Sequence, residues 1–319
     1  MNKSLVLGID IGGTNTKFGV VDSHGEILVQ GSIITCETDD PNHFIDRLAL
    51  ALKPLFDKFH QDHFVGIGVG APNGNFYTGT IEMAPNLKWR GVIPLVSLIE
   101  KRFQLKTVLT NDANAAAIGE MIYGHAKGMK NFIVITLGTG LGSGIVINGE
   151  LVYGHTGFAG ELGHVTVIPE GRLCGCGRKG CLETYASATG IVKTVKDLLK
   201  NSPESSTLRQ LNEKDLNAKH ITEAALHGDA IALKAYDYTA SILGRALTDF
   251  AVFSSPEAIF LFGGLAQAKD VLFKPTKNYF ENNLMNVFKN TVKLLPSGLP
   301  ESDAAILGSA ALIAKTTRT

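Results

Sequence analysis

Several features that would place a chain in other classes are scarce or missing here. There are four cysteines, too few for the disulfide framework of a small secreted domain. Neither charge is in surplus: 30 lysines and arginines balance 30 aspartates and glutamates, so no net field draws the chain to nucleic acid or to an anionic membrane. No apolar run approaches the roughly 20 residues of a bilayer-spanning helix. The opening MNKSLVLGID meets an aspartate after a short apolar run, without the length of a signal peptide. The phosphate loop G-x-x-x-x-G-K-[ST] does not occur, nor does any low-complexity stretch. These absences lead us to expect a cytoplasmic protein with reduced thiols. At 319 residues and 45% hydrophobic, it can bury two domain cores.

Glycine, by contrast, is abundant and clustered, with 35 residues concentrated at turns. Residues 5–28, LVLGIDIGGTNTKFGVVDSHGEIL, read as an apolar strand, a Gly-Gly turn, an alternating strand and a hairpin at His24-Gly25. Residues 133–152, IVITLGTGLGSGIVINGELV, repeat the plan, with the hairpin at Asn148-Gly149. A duplicated strand–turn–strand unit suggests two similar α/β lobes facing each other across a cleft. Between these units Phe44, Leu48, Leu52, Leu55 and Phe59 form a helical core stripe, and Tyr238, Ile242, Ala246 and Phe250 form a second. Ser302-Asp303 reads as the cap of a final helix running through Ala314, and residues 201–219 as a loop-rich connection.

Three of the four cysteines lie together in HVTVIPEGRLCGCGRKGCLE, with His164 ten residues before the first. His164, Cys174, Cys176 and Cys181 have the number and chemistry of a closed tetrahedral zinc shell. The interleaved Gly175, Gly177 and Gly180 let the backbone turn sharply enough to aim the sulfurs at one point. The alternative is three cysteines merely buried or disulfide-bonded. Cys36, outside the cluster, reads as a small buried apolar residue.

In IDIGGTNTK, a strand-end carboxylate (Asp10) precedes the backbone amides of Gly12 and Gly13, the hydroxyl of Thr14 and the ammonium of Lys17. That set suits a magnesium-bound polyphosphate. The matching GTGLGSG at residues 138–144 makes a turn that serves folding alone the weaker reading. In LTNDANAAAIGE, a strand over 107–110 leads to Asn111-Asp112 and an alanine-rich helix. Two readings of Asp112 stand on the residues alone. It caps the helix, or it faces the cleft and takes a proton from a substrate hydroxyl. Asn111 beside it offers a donor and an acceptor to a polyol.

IDIGGTNTK, PNLKW, NDANAAAIGE, GTGLGSG, GFAGELGH and CGCGRKGCLE, in this order and at these separations, resemble the ROK family of bacterial sugar kinases and repressors. The resemblance runs from about residue 5 to about residue 314 and is strongest to the family's ATP-dependent glucokinases. It implies the two-lobed ribonuclease-H-like fold of the actin and hexokinase type, with an interlobe cleft and a structural zinc loop. Residues 1–111 with 303–319 would form the small lobe, and 112–302 the larger one. The implied reaction moves the γ-phosphoryl of ATP to the 6-hydroxyl of glucose, with Asp112 as general base. An ordinary carboxylate pKa of about 3.9 would leave that base ionised at neutral pH.

The same resemblance implies that Asn86, Asn111, Glu161, His164 and Glu183 hold the sugar hydroxyls, His164 also serving the metal through its other ring nitrogen. ATP would lie against Gly12, Gly13, Thr14, Asn15 and Lys17 of the first turn and Gly138, Thr139, Gly140 and Gly142 of the second. Asp10 would stand near magnesium, and Gly263 and Gly264 would approach the nucleoside. A homodimer or homotetramer is implied as well. Within the family the alternatives are a kinase of N-acetylmannosamine, N-acetylglucosamine or fructose, or a non-catalytic sugar-responsive regulator. A regulator needs an N-terminal helix-turn-helix, whereas here the phosphate turn begins by residue 10. One departure stands out: Asn73 separates Pro72 from Gly74 where many members carry a Pro-Gly pair, which puts the sugar contacts of the Gly70–Asn75 loop in doubt.

Overall fold

The computed structural model describes residues 5–300 and 303–316. The N-terminal part supplies β1 (Leu5–Ile11), β2 (Asn15–Val21), β3 (Ile27–Ile34), α1 (Pro41–Phe59), β4 (Phe64–Gly70), the short strands β5 (Gly74–Asn75), β6 (Thr80–Glu82) and β7 (Val92–Ile93), α2 (Leu95–Phe103) and β8 (Thr107–Thr110). After α3 (Asp112–Ile122) come β9 (Phe132–Leu137), β10 (Leu141–Ile147), β11 (Glu150–Leu151), α4 (Ala188–Asn201), α5 (Ala218–Leu226) and α6 (Ala230–Ser254). The chain ends with β12 (Ala258–Phe262), α7 (Asp270–Asn283), β13 (Lys293–Pro296) and α8 (Ala304–Thr316).

The two main sheets share one topology. The first has the order β3-β2-β1-β4-β8 and the second β11-β10-β9-β12-β13. In each, an antiparallel meander of three strands is extended by two strands parallel to its first. The repeated glycine-turn units thus open two copies of one architecture. Asn148 and Gly149 both have positive φ, 54° and 79°, and close β10 onto β11 as a two-residue hairpin of the I′ kind.

Between the sheets lie α8 and α3, and glycine sets how closely everything packs. A Cβ on Gly8 or Gly68 of the first sheet would run into the α8 backbone at Ile306 or Ser309. On Gly144 of the second sheet it would stand 2.5 Å from Ala117 of α3. The two helices touch each other at Gly119 and Gly308, where a Cβ on Gly119 would lie 2.8 Å from the Gly308 Cα. The layer order is therefore first sheet, α8, α3, second sheet. The alanine-rich sequence of α3 follows from this, since every residue from Ala113 to Glu120 is buried.

Phe44, Leu48, Leu52 and Leu55 are buried as their spacing predicts, with Phe59 half-buried at the edge of the same core. The second stripe needs correcting: Ala246 and Phe250 are buried, but Tyr238 is 40% exposed. The buried face of α6 passes instead through Ile231, Ala235, Thr239 and Leu243, and Tyr238 sits beside it. Cys36 is half-buried against the first core rather than fully inside it. Residues 202–217 form the loop-rich connection, interrupted by one short 3-10 turn. Asp303 directly precedes α8, and Ser302 lies outside the described residues.

Gly119→Ala tests the close helix crossing. Alanine favours an isolated helix by about 1 kcal/mol, but here its methyl has no room between Gly308 and Leu299. Overpacking of this kind costs about 1–3 kcal/mol, so the denaturation midpoint is expected to fall. A midpoint equal to or above wild type would show that the helices do not touch there.

Candidate active site

Three glycine turns end parallel strands. The first follows β1, where the Gly12 amide donates to the Asn15 carbonyl at 3.0 Å and turns the chain into β2. Asp10 and Lys17 are paired across β1 and β2. A Cβ on Gly13 would meet the Asn86 carbonyl at 2.8 Å, so the PNLKW loop lies directly against this turn and Asn86 is exposed beside it. The second turn joins β9 to β10, with the Gly138 amide donating to the Gly140 carbonyl at 3.0 Å. The third follows β12, where Gly263, at φ 101°, backs onto the end of β9 at Leu137 and Gly264 is exposed. Thr14, Asn15, Lys17 and Thr139 are all exposed.

The α3 N-terminus sits between the first two turns. Asp10 feels the charge of Asp112, and Gly142 packs against Ala113. The helix is capped by Asn111, whose Oδ1 accepts the Asn114 amide at 2.7 Å. Capping therefore does not belong to Asp112, which is the first helical residue. Its Oδ1 accepts the amide of Ala113 at 2.8 Å. Its side chain is open to solvent on one side and hemmed in by protein in every other direction, the surroundings of a group on a cleft floor.

Those surroundings make the site electrostatically tense. Burial raises the pKa of Asp112 above the ordinary carboxylate range, contrary to the unperturbed value the sequence suggests. Asp10 is pushed from 3.8 to about 7, first by burial and then by the nearby Asp112, with Lys17 pulling the other way. Glu161 is also raised, mainly by burial, with His164 opposing and Asp112 and Glu183 adding to the rise. The charge of Asp112 thus reaches both Asp10 and Glu161, and that of Glu183 reaches Glu161. Such a group of carboxylates is suited to accept protons from hydroxyls and to hold a divalent cation.

The zinc-type residues converge. The ligand atoms of His164, Cys174, Cys176 and Cys181 all lie within 4.8 Å of one another. His164 Nδ1 is 3.6 Å from Cys174 Sγ, and the Cys176 and Cys181 sulfurs are 3.7 Å apart. Tetrahedral zinc with bonds of about 2.3 Å to sulfur spaces two sulfurs about 3.8 Å apart, whereas a disulfide needs about 2.05 Å. All four cysteines are free, so the disulfide reading fails and the residues fit a zinc ion. The other ring nitrogen of His164, Nε2, points toward Glu161 Oε2 at 3.9 Å. Two of the three loop glycines are needed for their backbone: Gly177 has φ 87° and Gly180 has φ 72°, the latter pressed against the Ile168 carbonyl. Gly175 has neither a positive φ nor a close neighbour.

Glu183 stands apart from the other predicted sugar contacts. Its Oε2 accepts the Leu141 amide at 3.0 Å, and its Oε1 is 3.7 Å from Cys174 Sγ. In the loop with the odd asparagine, Asn73 takes φ 51° and donates through Nδ2 to the Glu82 carbonyl at 2.9 Å. Two contacts there escape sequence reasoning. Asn75 Nδ2 reaches the Thr156 carbonyl at 2.9 Å, and Phe76 stacks on Tyr153 with centroids 4.1 Å apart. Both link the β5–β6 hairpin to the segment that leads into GELGH. The adjacent Phe76-Tyr77 pair is the one signal for them in the sequence.

The model of the ROK family matches residues 6–316. A glucokinase of Halalkalibacterium halodurans is 41% identical over 286 residues, covering 88% of this chain and 86% of that protein. The Thermotoga maritima glucokinase is 34% identical over 98% of both chains. The crystal structure of a ROK family glucokinase from Streptomyces griseus, in complex with glucose and AMPPNP, superposes with a TM-score of 0.83 at 34% identity, covering 98% of this chain and 99% of that one. The chain belongs to the ROK family. Its mixed α/β fold is that of the family's sugar kinases.

The raised Asp10 makes a prediction for the unliganded protein. A carboxyl whose folded pKa lies above its unfolded value adds stability below the unfolded pKa, and that contribution is lost as pH rises through the folded one. For Asp10 the window runs from 3.8 to about 7. Asp10→Asn should match wild type near pH 4 and exceed it by up to about 4 kcal/mol at pH 8, the full linkage of the window. Urea denaturation at the two pH values measures this. A variant no more stable than wild type at pH 8 would mean that Asp10 is not held out of water.

Proposed function

We propose that the protein is an ATP-dependent glucokinase, transferring the γ-phosphoryl of ATP to the 6-hydroxyl of glucose. One observation carries the reading: Asp112, with its raised pKa, stands at the α3 N-terminus between two glycine turns and shares its field with Asp10 and Glu161. The relatives named above are glucokinases, one of them crystallised with glucose and AMPPNP, which supports the same assignment.

In this reading Asp112 is the general base. A base works best when its pKa approaches the operating pH, and burial moves this carboxyl in that direction. Asn111 caps with its oxygen and turns its NH2 to a ring hydroxyl, while Asn86, Glu161 and His164 hold other hydroxyls. Glu183 supports them from behind. ATP lies against Gly12, Gly13, Thr14, Asn15 and Lys17 and against Gly138, Thr139, Gly140 and Gly142, with Gly263 and Gly264 at the nucleoside. Magnesium beside Asp10, when bound, balances charge on the transferred phosphoryl. Lys17 adds to that balance. His164, Cys174, Cys176 and Cys181 would hold a zinc ion with four protein ligands, and its contribution would be to hold the loop and fix the His164 ring.

We read the architecture as the two-lobed ribonuclease-H-like, actin and hexokinase type. The small lobe comprises 1–111 with 303–319 and the larger one 112–302, residues 1–4, 301–302 and 317–319 lying outside the described part. Two helices between matched sheets support that reading. Water is also a phosphoryl acceptor, so the lobes close on sugar before transfer.

A panel of hexoses tested with ATP and magnesium decides the substrate, and glucose is expected to give the highest kcat/KM. Higher efficiency with N-acetylmannosamine, N-acetylglucosamine or fructose would sink the glucokinase reading and leave only the kinase. Asp112→Asn tests the base. It should lower kcat by roughly 10²–10⁴ with little change in the KM for glucose and no loss of stability, since Asn111 keeps the cap. The acid limb of the wild-type pH–rate profile should lie above the ordinary carboxylate value of about 4. Near wild-type turnover of the variant rules Asp112 out.

A further inference from the structure

The stretch that leaves the cysteine cluster, Glu183 to Thr189, wraps the second glycine turn from behind. Glu183 Oε2 accepts the amide of Leu141 at 3.0 Å. The Ala188 amide donates to the Gly138 carbonyl at 2.8 Å. The Thr189 hydroxyl donates to the Thr139 carbonyl at 3.0 Å. Gly140 has no space for a side chain because Glu183 fills it. The turn thus has its carbonyls at 138 and 139 and its amide at 141 tied to a single seven-residue segment. That segment is itself fixed at both ends. Thr184 Oγ1 donates to the Cys181 carbonyl at 2.8 Å, Glu183 Oε1 lies 3.7 Å from Cys174 Sγ, and Ser187 caps α4 through the Gly190 amide.

We propose that residues 183–189 are the positioning element of the nucleotide turn, carrying the order of the metal loop to Gly138–Leu141, with Thr189 as a positioning residue for nucleotide affinity. The proposal rests on reading that turn as part of the ATP site. Carbonyls 138 and 139 are drawn back toward α4, so they face away from a bound phosphate. The remaining amides of the turn are left for it. Without these ties a glycine-rich turn samples many conformations, and ordering it would be charged to nucleotide binding.

Thr189→Val keeps the shape and removes the donor. The KM for ATP and the calorimetric Kd for magnesium–ADP should rise about three- to tenfold, the range of one hydrogen bond, while the KM for glucose holds. Thr189→Ser should restore wild-type values, which a mere packing role would not predict. In wild-type protein stripped of metal by a chelator, amide hydrogen exchange over 138–142 should accelerate together with that of 174–181. If Thr189→Val matches wild type for ATP and ADP, or if exchange over 138–142 is unchanged by stripping, the positioning element does not exist, and the kinase reading is untouched. A wild-type protein that neither binds ADP nor phosphorylates a hexose would overturn both.

Discussion

The close crossing of α3 and α8 is the constraint on which the rest of the molecule depends. Side chains usually hold helices 8–10 Å apart. Here Gly119 and Gly308 remove the spacer, and Gly8, Gly68 and Gly144 bring each sheet down onto its helix by the same means. Four layers can then stack with their strand ends aligned, so the turns after β1 and β9 flank one helix end. The carboxylate of Asp112 owes its address to that stacking. With ordinary residues at these glycines the sheets would stand further apart, and the turns could not both border the start of α3.

The site set into this rigid frame is, by contrast, held against its own preference. Asp10, Asp112 and Glu161 are set among protein atoms that raise each pKa, with the charge of Asp112 adding to the rise at Asp10 and at Glu161. Lys17 and His164 oppose this only in part. Carboxylates with raised pKa values and no full counter-charge are common where a site is built for ligands. On the function proposed above, hydroxyl donors at Asp112 and Glu161 and a cation at Asp10 would relieve the cluster. Binding would then gain from a repulsion built into the frame, a form of preorganisation.

Much of this was legible in the sequence because it is written in short-range chemistry. Asn148-Gly149 can hardly be anything but a tight hairpin, and the repeat of strand, glycine turn and strand foretold two like sheets. His164 with Cys174, Cys176 and Cys181 declared a metal cluster by composition and spacing. What stayed hidden depended on contacts between distant residues. That Asn111 and not Asp112 caps α3 depends on the residue at which the backbone leaves its extended conformation, Asn111 at φ −72° and ψ 161°, since both residue types make good caps. That Tyr238 is exposed follows from which face of α6 meets α4 and α7, which periodicity alone does not choose. The reach of Asn75 to Thr156 and the stacking of Phe76 on Tyr153 pair residues about 80 positions apart, and no local pattern announces them.

His164 shows how the structural and chemical halves of the site are joined. One ring nitrogen belongs to the sulfur cluster and the other to Glu161, so the imidazole cannot serve one side without being set by the other. Were zinc held through His164 Nδ1, the proton would sit on Nε2 and the ring would be fixed as a donor toward Glu161. A histidine on a free loop would lose both its tautomer and its orientation to thermal motion. Glu183 repeats the arrangement one turn further on, with one oxygen near Cys174 and the other on the Leu141 amide. The cysteine loop therefore has two arms, one ending at Glu161 through His164 and the other at the second glycine turn through Glu183; on the function proposed above these are the sugar and nucleotide sides.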